Sequence, residues 1–183
     1  MQERSDANGL ISDEKPVWIV MGSESDLKVM SEAAKILESF DVGYTISIAS
    51  AHRCTEYVLE TTAAAAGRGV KIIIAGAGLA AHLPGVIAAA TILPVIGVPL
   101  QSGALAGQDA LYSIVQMPPG IPVATVGIGA AQNAGLLALR VLAVSDAELQ
   151  RKMEAYRGQI RDNTLARNQK LSEIGYKKYL EGM

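Results

Sequence analysis

The chain is poor in cysteine, histidine and aromatic side chains and, over a long central stretch, in charge. Its 183 residues include one cysteine, Cys54, and two histidines, His52 and His82. One thiol cannot form an internal disulfide, which fits a reducing compartment and a cytoplasmic location. With no Cys/His cluster at ligand spacing, no metal centre is expected. Sixteen Lys and Arg face eighteen Asp and Glu, a formal net charge of −2. That balance leaves no cationic excess to neutralise a phosphate backbone, so nucleic acid is not an expected partner. Residues 72–100 carry no Asp, Glu, Lys or Arg. A membrane helix needs ~20 continuous apolar residues. Here Gly76, Gly78, Pro84, Gly85, Pro94, Gly97 and Pro99 cut the run into short pieces, so a membrane span is not expected either. Residues 1–15, MQERSDANGLISDEK, are polar. They lack the apolar core of a signal peptide and are expected to form a disordered extension.

What is present argues for one folded domain. Half of the residues are hydrophobic and 19% are charged, the reverse of a disordered composition. The length suits about one domain. Small residues abound, with 28 alanines and 18 glycines. Between residues 61 and 139 the only charged side chains are Arg68, Lys71 and Asp109. A stretch so poor in charge is hard to keep as the free surface of a small monomer, and the expectation is a homo-oligomer.

Apolar runs alternate with helical patterns. VWIVMG (17–22) reads as a strand buried on both faces. Residues 25–40 follow with Leu27, Met30, Ala34 and Leu37 at helical spacing. YTISIAS (44–50) is a β-branched strand, and a helix spans about 54–67. KIIIAG (71–76) is a third strand, since consecutive isoleucines favour extended backbone. A small-residue helix (81–91), a strand PVIGVP (94–99), a short helix within 104–116, a strand PVATVGI (122–128) and a helix over 131–144 complete the alternation. This order predicts an α/β fold, a three-layer α/β/α sandwich on a parallel sheet. Among the doubly wound strand orders, the flavodoxin-like 2-1-3-4-5 is the one chosen as the expectation. The catalytic domain is placed at 16–145. Residues 146–183 form a charged helical extension, opened by Ser145 and Glu148 at capping-box spacing. Its apolar stripe of Leu149, Met153, Tyr156 and Ile160 must dock, and a neighbouring subunit is the expected place.

In such sheets ligands sit beyond the carboxyl ends of the strands. The turns there read Gly22-Ser23-Glu24-Ser25-Asp26, Ser50-Ala51-His52-Arg53, Gly76-Ala77-Gly78-Leu79-Ala80-Ala81-His82 and Pro99-Leu100-Gln101-Ser102. Ser23 and Ser25 offer hydroxyls beside a helix N-terminus, where an anion such as phosphate is welcome. Simple capping by Ser25 or Asp26 explains them as readily. Asp26 alternatively accepts hydrogen bonds from sugar hydroxyls. Arg53 has the planar fork that matches phosphate oxygens, or else pairs with Glu56 on the surface. His52 can pass a proton in either direction near neutral pH, or serve as a structural histidine. Gly76 to Ala81 matches a dinucleotide fingerprint, but it follows the third strand and lacks the acidic residue ~20 positions on. A close approach of backbone to a small anionic or carbonyl group suits these glycines better. His82 lines this turn or caps the following helix, and Cys54 reads as packing.

Four motifs together resemble the N5-carboxyaminoimidazole ribonucleotide mutase family. They are Met21-Gly22-Ser23-Glu24-Ser25-Asp26, Ser50-Ala51-His52-Arg53, Gly76-Ala77-Gly78 with Ala80-Ala81-His82-Leu83-Pro84-Gly85, and Ser113-Ile114-Val115-Gln116-Met117-Pro118. The resemblance implies carboxyl transfer from N5 to C4 of a phosphorylated aminoimidazole ribonucleotide, with no cofactor: no ATP, metal or biotin. It implies His52 as general acid and base, Ser23, Ser25 and Arg53 on the phosphate, and Asp26 on the ribose. Ala77, Gly78 and His82 would border the carboxyl/CO₂ pocket. It also implies a flavodoxin-like subunit assembled as an octamer. The chain departs from the family pattern at Cys54-Thr55, usually Thr-Pro, at Leu79, usually glycine, and at Ala110, where serine is common. Two other readings compete: a carboxylase of aminoimidazole ribonucleotide using free CO₂, and a non-enzymatic flavodoxin-like nucleotide binder.

Overall fold

Three of the apolar runs are strands because both of their faces are covered. In the computed structural model, which describes residue 11 and residues 14–183, every residue of β1 (Val17–Met21) and β4 (Val95–Leu100) is buried. So are all residues of β3 (Ile72–Gly78) except the last. A strand with no solvent face needs no polar alternation, which explains the unbroken Val/Ile character. β2 (Tyr44–Ile48) is half-buried at an edge. The sheet order is β2-β1-β3-β4-β5, and every pairing is parallel. This is the predicted α/β flavodoxin-like topology.

β5 is shorter than the predicted 122–128. Only Ala124–Thr125 pair regularly, with Ile96 and Gly97 of β4. Beyond them the chain stays alongside β4 through single bonds, Val126 N–H to the Gly97 carbonyl and Gly129 N–H to the Pro99 carbonyl. β-Branched residues favour extension, but an edge segment with one neighbour and glycines at 127 and 129 does not hold a continuous ladder.

The helices cover the sheet on two sides. α1 (Leu27–Glu38) places Met30, Ala33, Ala34 and Leu37 in the core. α5 (Ala131–Ala143) packs on α1 so closely that a Cβ at Gly135 would lie 3.0 Å from the Ala33 carbonyl oxygen. On the other face Trp18, Val20, Ile73 and Ala75 pack with Val58 of α2 (Thr55–Ala65), Ile87 of α3 (Leu83–Ala90) and Ile114 of α4 (Gln108–Val115). The buried Trp18 indole donates to Ser47 Oγ at 2.7 Å, which removes the cost of hiding its N–H.

Residues 142–183 form a second compact unit, built on α6 (Ala147–Glu181). Its cap is not Ser145 but Asp146, whose Oδ1 accepts from Glu148 N–H at 3.0 Å and Leu149 N–H at 2.9 Å. A carboxylate accepts both orphan donors at once and wins over the neighbouring hydroxyl, which turns back to the Leu142 carbonyl. The helix is interrupted at Gly175, whose φ of 73° is not helical. Of the predicted stripe, Leu149 and Met153 are buried while Ile160 is half exposed. The predicted 1–15 extension lies mostly outside the described residues. Within it, Ile11 is buried and Glu14 N–H donates to the Arg68 carbonyl. Among the described residues no helix is long and apolar enough to cross a membrane.

One contact at β4 is tight enough to test. A Cβ at Gly97 would lie 2.4 Å from Ile114 Cγ2 and 2.9 Å from Val123 Cγ1. Gly97→Ala is expected to destabilise the protein by about 1–3 kcal/mol, the usual cost of overpacking a filled core. A lowered midpoint in thermal or urea unfolding is the readout.

Candidate active site

The four strand-end turns meet around one cavity of about 410 Å³, lined by Gly22, Ser23, Ser25, Asp26, Ser50, His52, Arg53, Gly78, Leu79 and Ser102. Its size is in the range of small-molecule sites. Each wall is set by local chain geometry. After β1 the chain makes a single 3-10 turn, Glu24–Asp26, and Ser23 caps it by accepting from Ser25 N–H at 3.4 Å. Ser25 Oγ donates to Ser23 Oγ at 2.9 Å. Asp26 makes no capping bond to α1, so its carboxylate is left to face the cavity.

After β2 the turn is knotted by its own backbone. Cys54 N–H donates to the Ser50 carbonyl at 3.0 Å, and Thr55 Oγ1 donates to the Ala51 carbonyl at 2.6 Å. Cys54 Sγ accepts from Ser50 N–H and lies 3.2 Å from the Ser50 carbonyl, so the thiol is spent on the turn. His52 and Arg53 project from this fixed turn and are exposed. Arg53 Nη2 donates to the Gly22 carbonyl at 2.6 Å, tying the β2 turn to the β1 turn. Among the described residues it makes no ion pair with Glu56, and the rest of its fork is unspent.

The two histidines touch. His52 Nε2 and His82 Nδ1 are 2.6 Å apart, with the rings edge to face at 79°. One nitrogen donates and the other accepts, so the pair holds at most one extra proton. His82 is therefore not a cap for α3, and it makes no side-chain capping bond there. The contact joins the turns of two strands that are not neighbours in the sheet, since β1 lies between β2 and β3.

The Gly76-Ala77-Gly78 segment differs from the expected turn. β3 continues to Gly78, two residues beyond the predicted end, because Ala77 and Gly78 still pair with Pro99 and Leu100 of β4. Ala77 is buried inside the strand and is not on the cavity wall. The dinucleotide fingerprint loses its loop for the same reason, as Gly76 packs against Met30 of α1. Of the eight candidate residues, Ser23, Ser25, Asp26, His52, Arg53 and Gly78 line the cavity, and His82 is in contact with His52. Ser50, Leu79 and Ser102 line it too. Their position in the strand-end turns was the available signal. Among the described residues no three His, Cys, Asp or Glu side chains come together as a metal would require.

The AIR carboxylase family model matches residues 16–163. The chain belongs to the AIR carboxylase family. It is 56% identical over 166 residues to N5-carboxyaminoimidazole ribonucleotide mutase of Pyrococcus abyssi, covering 91% of this chain and 95% of that protein. It is 50% identical over 165 residues to phosphoribosylaminoimidazole carboxylase of Candida glabrata, covering 90% of this chain but 29% of that longer protein. The crystal structure of Treponema denticola PurE superposes with a TM-score of 0.75 at 31% identity, over 87% of this chain and 98% of that one.

Asp26 carries an energetic signature of the site. Burial raises its carboxyl pKa, and the hydrogen bonds from Ser25 and from the Ser23 backbone only partly offset this. A raised carboxyl pKa means a stability penalty at neutral pH that is lost as pH falls through the folded-state value. Asp26→Asn is expected to match or exceed the parent in thermal midpoint at pH 7. The gap should narrow on acidification, measured as Tm against pH.

Proposed function

We infer that this chain is an N5-carboxyaminoimidazole ribonucleotide mutase, an isomerase of purine biosynthesis that yields the 4-carboxy-5-aminoimidazole ribonucleotide. The observation that carries the reading is His52, held by a fixed turn on the wall of a cavity that also gathers Arg53, Ser23, Ser25 and Asp26. The names and identities of the mutase relatives support it.

The chemistry follows from the residues. Ser23, Ser25 and the unspent donors of Arg53 take the substrate phosphate. Asp26 accepts from the ribose hydroxyls. The carbamate bond from N5 to its carboxyl carbon breaks, and His52 gives its proton to N5. The released CO₂ stays beside Gly78 and His82. C4 of the ring then attacks that carbon, and His52 takes the C4 proton back. The two transfers run in opposite directions, so one imidazole serves both and ends as it began. His82 orients the ring by holding one of its nitrogens. No ATP is consumed in this scheme.

The enzyme works as a homo-oligomer, an octamer by resemblance. Support comes from the charge-poor central stretch and from exposed aliphatic and aromatic side chains, among them Ile92, Leu105, Tyr112 and Val115. A cytoplasmic setting fits its single free thiol.

The carboxylase reading rests on the Candida relative, and the choice of substrate separates it. Supplied without ATP, the N5-carboxy substrate should be converted while aminoimidazole ribonucleotide with bicarbonate should not; efficient use of the second alone would reverse the assignment. His52→Asn should lower kcat by about 10²–10⁴, the scale of general acid–base catalysis, and still bind nucleotide. Arg53→Ala should chiefly raise KM, by about tenfold or more, as loss of a charged hydrogen bond of about 1.5–3 kcal/mol requires. Steady-state kinetics with calorimetric binding distinguishes the two effects.

A further inference from the structure

Leu79 carries two unfavourable features. Its φ is +54°, a left-handed backbone that leucine rarely adopts. The residue is 53% exposed, so it is not part of the packed core. It follows Gly78 at the end of β3 and lines the same cavity as His52 and Arg53. Strain kept at such a place is a mark of function.

One neighbour of the side chain is defined by the glycine at 103. A Cβ on Gly103 would lie 3.2 Å from Leu79 Cδ2, so the leucine methyl rests against the Gly103 backbone. Gly103 is itself left-handed, at φ +60°, in the loop between β4 and α4. Ser102, the residue before it, is also on the cavity wall. Leu79 thus spans from the turn after β3 to the loop after β4, at the rim of the site. A Cβ at 103 would make the leucine methyl give by only a few tenths of an ångström, so the two positions are close neighbours.

We propose that Leu79 is the apolar seal of the CO₂ pocket, closing on Gly103 so that the carbon dioxide released from N5 is captured by C4 before it escapes. This rests on the mutase reading above. The physical need is clear: CO₂ is uncharged, offers no strong handle to the protein, and is retained by enclosure rather than by binding. A leucine side chain supplies bulk and excludes water, whereas the other wall residues near it, Gly78 and Ser102, supply neither. In this role the strained backbone is the cost of aiming an aliphatic group across the opening.

Isotope exchange reads the seal directly. The enzyme turns over unlabelled N5-carboxy substrate in ¹³C-bicarbonate, with carbonic anhydrase to keep CO₂ labelled, and the product is weighed by mass spectrometry. The parent enzyme should deliver mostly unlabelled carboxyl. Leu79→Gly should raise the labelled fraction roughly three- to tenfold, the range that weakening one apolar contact covers, without lowering the thermal midpoint, because glycine relieves the left-handed strain. Leu79→Ala should leak equally while keeping that strain. An unchanged labelled fraction in Leu79→Gly and Leu79→Ala, with turnover intact, would overturn the seal and leave the mutase assignment standing. No conversion of the N5-carboxy substrate by the parent enzyme would overturn both.

Discussion

The site depends on parallel pairing that sets β1 between β2 and β3, with β4 next to β3. Met21 at the end of β1 is level with Ile48 of β2 and Gly76 of β3, and Gly78 is level with Leu100 of β4. Strands that run the same way and end together deliver their following turns to one edge. Four segments far apart in sequence thereby become four walls. Arg53 on the Gly22 carbonyl and His52 on His82 are cross-links between those walls. They form because the register, not any local motif, brings their backbones within side-chain reach.

The site is assembled from few polar groups on a frame of small and apolar ones. Its edge is where the fold accepts unfavourable features: a half-buried carboxylate at Asp26 and a left-handed leucine at 79. The core supplies close fits. Gly97 lets β4 approach α4, and the Trp18 indole has a partner.

Much of this was legible in the residues. β1, β3 and β4 announced themselves as unbroken apolar runs because burial on both faces removes any need for alternation. Parallel pairing followed from the βαβ alternation, whereas the order 2-1-3-4-5 was one choice among the doubly wound orders; the turns that line the site followed from parallel strands. What escaped depended on partners rather than on propensity. β5 had a strand-like sequence but only one neighbour. β3 ran on through Ala77 and Gly78 because β4 was there to pair with them, which removed Ala77 from the wall. Ser145 and Asp146 both suited the cap of α6, and only geometry could choose the carboxylate. The histidine contact joins residues thirty apart across a strand that separates their own, so no spacing rule could predict it.

The account stands most directly on where the reacting ring sits relative to His52. A crystal structure of the assembled enzyme with 4-carboxy-5-aminoimidazole ribonucleotide bound addresses this. The account predicts the phosphate on Ser23, Ser25 and Arg53, the ribose on Asp26, and the imidazole of the product within hydrogen-bond reach of the His52 ring. A product whose phosphate lies elsewhere, or whose ring is out of reach of His52, would contradict it.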